Sequence, residues 1–464
     1  MSLAEMNAIE VRNLQFSYRD YQSEQEAYGE PVFTGLSFKI KKGEHALILG
    51  NADSGKTTLC RLLIGAVPKY LGGKLDGDIH INGRNLVCEQ PWDLVNDIVY
   101  VSQNSEDQLV SSTPEDEVAF PMEMMGVSPD EMKRKVTLAL QEFELTSRRN
   151  QSVLNLSGGE KKRLLLSVSR GIDPEVYLLD ETFDELDESF KGGLSKWISK
   201  TDKTVMALCS RALEVYRGVF DRFFILENGE LRECSEDEIF EYGRCSLPAF
   251  LPEQGSDVSI SCSDVMIVKG EEENDEPAAG GTFSLNVPEF VLRRGEIVAL
   301  TGPNGSGKSS FARALCGLDD VEKGSFSLEK RERLVNVGYL FQNPDFQIFL
   351  PKVKDELKYP HHSEAEVQSA CELFSLDPDE VASLLSYPRR KRLQAAVYYL
   401  LDRPFYILDE LESSMSYEDC HAMIALLRRR GAGILLITHD ETVASWAMRR
   451  IRICDKVMEA CDEH

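Results

Sequence analysis

No stretch of this chain approaches the roughly 18 consecutive apolar residues that a membrane-crossing helix needs. Its start, Met1 to Ala8, lacks the basic segment and apolar run of a secretory signal, which argues against secretion. The 11 cysteines are scattered, with no C-x-x-C pair and no Cys/His cluster. That argues for reduced thiols and against a disulfide framework, a zinc module or an iron–sulfur cluster. Positive charge is also scarce. Lys and Arg number 52 against 78 Asp and Glu, a formal net charge of −26. Such a chain repels phosphate backbones, whereas nucleic-acid binding normally needs a basic surface. The acidity itself is read as solubility. What is present is 42% hydrophobic and 28% charged residues over 464 positions, a globular chain of about two to three domains.

The organising stretch is Gly302, Pro303, Asn304, Gly305, Ser306, Gly307, Lys308 and Ser309, followed by Ser310. It fits G-x-x-x-x-G-K-[ST], the phosphate-cradling loop. An apolar run from Ile297 to Leu300 enters it and a helical pattern from Ser310 to Cys316 leaves it. The glycines let backbone N–H groups turn toward phosphate oxygens, and the following helix adds its positive dipole end. Lys308 would reach the outer phosphates of a nucleoside triphosphate, and Ser309 would ligate Mg²⁺. A second copy stands at Gly50, Asn51, Ala52, Asp53, Ser54, Gly55, Lys56 and Thr57, followed by Thr58.

The surroundings repeat as well. Ile9–Tyr18 and Leu36–Ile40 alternate as strands before the first loop, as Val265–Val268 and Phe283–Val287 do before the second. Acidic segments to Glu30 and at Glu271–Glu276 read as loops. Val176–Glu181 matches Phe405–Glu410, and Thr204–Leu208 matches Gly433–Ile437. Strands alternating with helices predict two α/β domains, each with a mostly parallel sheet. The predicted boundaries are 1–243, a linker over 244–256, and 257–464.

An acidic residue after four apolar ones sits at a strand's C-terminal end, where sheet ligands bind. That places Asp180 and Asp409 to hold Mg²⁺, with Thr57 and Ser309, and Glu181 and Glu410 to polarise an attacking water. Gln103 and Gln342 follow short apolar strands and can reach metal and water from a loop. Leu156-Ser-Gly-Gly-Glu160 precedes the first Asp-Glu strand. Together these motifs resemble ATP-binding-cassette (ABC) ATPases across nearly the whole chain, twice. The resemblance implies a head-to-tail pseudo-dimer of two P-loop cassettes, each with an antiparallel β part and a helical subdomain. It further implies ATP hydrolysis with Mg²⁺, and adenine stacked on Tyr18. Ser157, Gly158, Gly159 and Glu160 would face the γ-phosphate of the other half.

The halves differ. Ser157 to Ser386, Glu181 to Glu410 and Ser210 to His439 are all 229 residues apart, so the differences are substitutions in register. Tyr387 and Pro388 replace both signature glycines; Pro lacks an N–H and Tyr is expected to block a phosphate. Ser416 replaces Asp187. The switch histidine His439 becomes Ser210, and Asp53 replaces Gly305. In the arrangement the resemblance implies, every one of these departures falls on one composite site. The other gathers Lys308, Gln342, Asp409, Glu410 and His439 with Ser157–Gly159 and Asp187. The expectation is one degenerate and one hydrolysis-competent site. Both glutamates remain, which leaves room for slow turnover at the degenerate one. Lys269 stands where Tyr18 would have its counterpart, which predicts looser ATP binding at the competent site.

A second Gln five residues after each loop glutamine (Gln108, Gln347), together with Thr113–Phe120, is similar to the ATPases of energy-coupling factor (ECF) and cobalt/nickel importers. That implies a peripheral protein at the cytoplasmic membrane face. Its partners would be an integral coupling subunit, docked near 103–120 and 342–354, and a separate substrate-binding membrane subunit. The alternative is a twin-ABC ATPase acting on ribosomes or nucleic acid. Such a protein usually carries two intact signatures and a basic surface or charged linker, and neither is visible. A purely regulatory nucleotide-binding module is opposed by Glu410 and His439.

Overall fold

The apolar runs predicted as strands are buried along their whole length: His45–Leu49, Val176–Asp180, Thr204–Cys209, Phe405–Asp409 and Gly433–Ile437. A parallel strand covered on both faces needs such a continuous run rather than an alternating one. A computed structural model describes residues 6–20, 27–51, 53–184, 186–243, 247–251, 258–269, 283–303, 305–413 and 415–460. Ala52, Asn304, the acidic segment Glu271–Glu276 and most of the predicted linker lie outside them.

The chain divides into two units, Met1–Arg244 and Cys245–His464. In the first, a six-stranded sheet runs in the order Glu230–Cys234, Arg222–Glu227, His45–Leu49, Thr204–Cys209, Val176–Asp180, Ile98–Val101. All its pairings are parallel except that of the edge strand Glu230–Cys234. Successive side chains go to opposite faces. Leu47, Leu49, Tyr177 and Leu179 enter the core under the helices, and Ala46, Ile48, Val176 and Leu178 enter the other. Each such Leu or Ile contributes about 1.5–3 kcal/mol by leaving water. The second core is closed by a separate antiparallel sheet built on Asn7–Ser17, Phe33–Lys41 and Lys74–Ile81. Helices Pro114–Met124, Pro129–Glu142 and Gly158–Ile172 form the helical part.

The second unit repeats this plan with a different joining of its sheets. Its antiparallel strands, Ser259–Lys269 and Phe283–Arg293, join the parallel core in a single nine-stranded sheet. The joint is the pairing of Asn286 with Val457. Gly158 and Tyr387 open helices of equal length, and Val176 and Phe405 open matching strands; both pairs are 229 residues apart. Within the predicted linker, Leu247 and Phe250 pack against the second unit's core. The Phe250 ring stacks on His421 with centroids 4.3 Å apart, and its N–H reaches the Trp446 carbonyl.

Among the described residues no helix is long and apolar enough to cross a membrane. The described cysteines are free.

Candidate nucleotide-binding and catalytic sites

Each phosphate loop leaves the C-terminal end of a buried strand and enters a helix, Lys56–Leu63 or Lys308–Leu315. The residue before each helix is glycine in the left-handed region, Gly55 at φ 99° and Gly307 at φ 106°. A Cβ at Gly307 would also lie 2.6 Å from the Phe283 ring. Gly307→Ala is therefore expected to destabilise the second unit by about 1–3 kcal/mol. Thermal unfolding checks this, and an unchanged transition would contradict it.

The loop lysines are held by their own loops. Lys56 Nζ donates to the carbonyls of Gly50 at 2.5 Å and Asn51 at 2.9 Å. Lys308 Nζ donates to Gly302 at 3.0 Å and Pro303 at 3.1 Å. Burial lowers the Lys308 pKa, with Glu410 and Asp409 opposing. Ammonium groups gathered over loop carbonyls beside the strand-end carboxylates are placed for a phosphate chain. Tyr18 is half-buried; its hydroxyl is 3.1 Å from Thr58 Oγ1 and its ring stands edge-on to Phe16. Its positional counterpart Lys269 pairs with Phe283 in the antiparallel ladder. Asp53 has φ 62°, in the left-handed region.

The Asp-Glu pairs stand at the predicted strand ends. Thr57 Oγ1 donates to Asp180 Oδ2 at 2.8 Å, and Tyr100 OH donates to the same oxygen at 2.9 Å. Asp180 Oδ1 is buried without a hydrogen-bond partner. In the second unit Tyr339 OH donates to Asp409 Oδ2 at 2.7 Å, and Ser309 bonds the same carboxylate. Burial raises both aspartates, Asp409 to about 6 with help from Glu410. An orphaned, buried carboxylate oxygen beside a threonine hydroxyl suits a hard divalent cation. Among the described residues no cluster of three His, Cys, Asp or Glu is placed to hold a metal alone.

The two glutamates live in different surroundings. Glu181 Oε2 accepts from the Ser210 N–H at 3.0 Å, its Oε1 accepts the Ser210 hydroxyl, and Lys56 Nζ lies 3.4 Å away. Burial, reinforced by Asp184 and Asp180, pushes it up to about 7 against the pull of Lys56. By pKa alone that suits a general base, but the Glu181 side chain is enclosed, and geometry ranks first. Glu410 accepts from Gln342 Nε2 at 2.6 Å, and His439 Nε2 is 3.3 Å from its other oxygen. Loss of water pushes it up, but His439 and Lys308 outweigh this and its pKa is lowered. The Glu410 side chain is 16% exposed and that of Glu181 2%. So one carboxylate is ionised, oriented and open to a water, and the other is enclosed.

The signature ends differ too. Ser157 is exposed and caps the helix Gly158–Ile172 in a capping box with Glu160. Ser157, Gly158 and Gly159 thus present an open helix start. Tyr387 and Pro388 are buried. The sequence placed Tyr387 as an obstacle before a phosphate. Its hydroxyl donates to the Gln342 carbonyl at 2.9 Å. Asp187 and Ser416 both cap the helix that follows them, so that substitution keeps a local role.

Several participants were not foreseen. Tyr100 and Tyr339 orient the aspartates. Lys162 Nζ donates to the carbonyls of Ser102 at 2.8 Å and Gln103 at 2.7 Å. Arg211, next to Ser210, pairs with Asp184 at 2.9 Å. Glu412 accepts from the Thr438 hydroxyl beside His439. The second glutamines prove to be staples. Gln108 accepts from Ser102 N–H at 2.8 Å and donates to the Tyr100 carbonyl at 2.9 Å. Gln347 does the same with Phe341 and Tyr339. Five residues is the reach needed to close that loop on its own strand.

Phosphate loops at strand ends, with Asp-Glu pairs beside them in two α/β units, define a P-loop nucleoside-triphosphatase. Residues 33–184 and 285–413 each match the ABC transporter family, and the chain belongs to that family. It is an ABC ATPase with two cassettes. A Methanosarcina mazei protein, provisionally named an ABC transporter ATP-binding protein, is 28% identical over 97% of this chain and 94% of its own length. The Bacillus subtilis protein YkoD, provisionally named an HMP/thiamine import ATP-binding protein, is 26% identical over 95% and 88%. Among solved structures, a ribosome-bound archaeal Pelota and ABCE1 model aligns with 92% of this chain and 76% of the aligned chain. Its TM-score is 0.67 at 18% identity, a likeness of fold.

Proposed function

We propose that this chain is the energy-coupling ATPase of an ECF-type membrane importer, with hydrolysis concentrated at the second unit's catalytic set. The observation that carries the site assignment is the contrast between Glu410, held by Gln342 with His439 Nε2 3.3 Å away, and Glu181, enclosed by Ser210 and Lys56.

In this reading Lys308 and the loop from Gly302 to Ser309 bind the phosphates, and Glu410 accepts a proton from the attacking water. Gln342 and His439 hold that carboxylate in place. Ser309 and Asp409 would hold Mg²⁺, which supplies charge neutralisation on the phosphates. The first unit's loop, with Lys56, Thr57, Asp180 and Gln103, then serves a site that mostly binds ATP.

The importer reading rests on the full-length relatives and on apolar surface beside the glutamine loops. Val110, Phe120 and Met124 in the first unit, and Phe346, Phe349 and Leu350 in the second, are all exposed. Apolar side chains exposed beside the glutamine loops suit an integral partner at the cytoplasmic membrane face. The test is fractionation. The chain is expected to sediment with membranes and to co-purify with an integral protein in detergent. Sedimentation with ribosomes would favour the translation-type alternative.

A further inference from the structure

Tyr387, Lys391 and Gln394 occupy positions i, i+4 and i+7 of one helix, so they share a face. All three are buried. Each donates to the loop or strand end that carries the second unit's catalytic side chains. Tyr387 OH reaches the Gln342 carbonyl at 2.9 Å. Lys391 Nζ reaches the carbonyls of Glu410 at 2.7 Å and Leu411 at 3.3 Å. Gln394 Nε2 reaches the Phe341 carbonyl at 3.2 Å. At the matching positions the first unit has Gly158, Lys162 and Leu165. There Lys162 alone serves the glutamine loop, through the carbonyls of Ser102 and Gln103. The same carbonyl, that of the loop glutamine, is thus held from the same helix in both units by different donors. In the second unit the lysine has gone to the strand end, and the phenol has taken its place at the loop.

We propose that Tyr387 is a positioning residue for Gln342, and through it for Glu410. The residue that spoils the second signature as a phosphate site fixes the glutamine loop of its own half. The hydroxyl pins the backbone of Gln342, whose side chain donates to Glu410 Oε2 at 2.6 Å. Buried donors of this kind matter because the acceptor has no water to turn to when they are removed. The inference rests on the assignment of hydrolysis to the Glu410 set.

The test is steady-state ATPase kinetics of the full chain, purified with its membrane partner, over a range of ATP concentrations. The variants are Tyr387→Phe, Gln342→Ala, their double and Glu410→Gln. Tyr387→Phe removes one hydroxyl and keeps the ring, so the unfolding midpoint is expected to fall by only about 2–4 °C. It should lower kcat about fivefold, with KM for ATP within about twofold of wild type. In the Gln342→Ala background it should have no further effect, because the group it positions is gone. Unchanged kcat in Tyr387→Phe, or an equal loss in the Gln342→Ala background, would overturn the inference while leaving the site assignment standing. Wild-type activity in Glu410→Gln would overturn the assignment itself, and the inference with it.

Discussion

Glu410→Gln is expected to lower ATPase activity of the assembled complex by about 100-fold or more, the scale of a lost general base. Glu181→Gln is expected to leave at least about half of it. Glutamine keeps the shape of glutamate and can still meet His439, but it cannot accept the proton of the attacking water. At Glu181 the carboxylate oxygens already face Ser210 N–H and Oγ–H, with Lys56 Nζ 3.4 Å away. Little productive contact with a water is lost there. Paired assays at saturating ATP check this. Abolished activity in Glu181→Gln with near-normal activity in Glu410→Gln would reverse the assignment.

The second large effect concerns stability. Arg211 and Asp184 are 5% and 3% exposed and 2.9 Å apart. Removing one member of a buried ion pair leaves a charge that water cannot reach. Arg211→Ala should therefore destabilise the first unit by about 3–5 kcal/mol. For a unit of this size that lowers its melting transition by roughly 10 °C. Replacing both residues by apolar ones of similar volume should recover most of the loss, since the desolvation cost goes with the charges. Differential scanning calorimetry of the three chains separates these outcomes. A shift below about 2 °C in Arg211→Ala would show that other groups balance Asp184.

The strands were legible because buried parallel strands need unbroken apolar runs. The phosphate loops were legible because G-x-x-x-x-G-K-[ST] fixes the spacing of two glycines, a lysine and a hydroxyl, between a strand and a helix. The 229-residue register was legible because the elements between signature and switch begin at matching positions: Gly158 and Tyr387, Val176 and Phe405, Glu188 and Tyr417, Thr204 and Gly433. Other features needed three dimensions. Asp184 and Arg211 sit in separate loops whose approach depends on the packing of adjacent strands. The single sheet of the second unit depends on the pairing of Asn286 with Val457, beyond a turn at Asp455 and Lys456. The contact of Tyr387 with its own glutamine loop also needed three dimensions. A bulky ring at a signature position suggests an obstacle, and only the fold shows that its hydroxyl meets the Gln342 carbonyl. The five-residue glutamine spacing was noticed as a family mark, and its physical cause is the loop staple made by Gln108 and Gln347.

Of two bound ATP molecules, one is expected to be hydrolysed. Rapid-quench analysis of a single turnover, with labelled ATP pre-loaded on the assembled complex and Mg²⁺ added to start the reaction, counts this directly. Release of about one phosphate per chain is expected, with the second nucleotide recovered as ATP. Two phosphates per chain, released with the same rate constant, would contradict it.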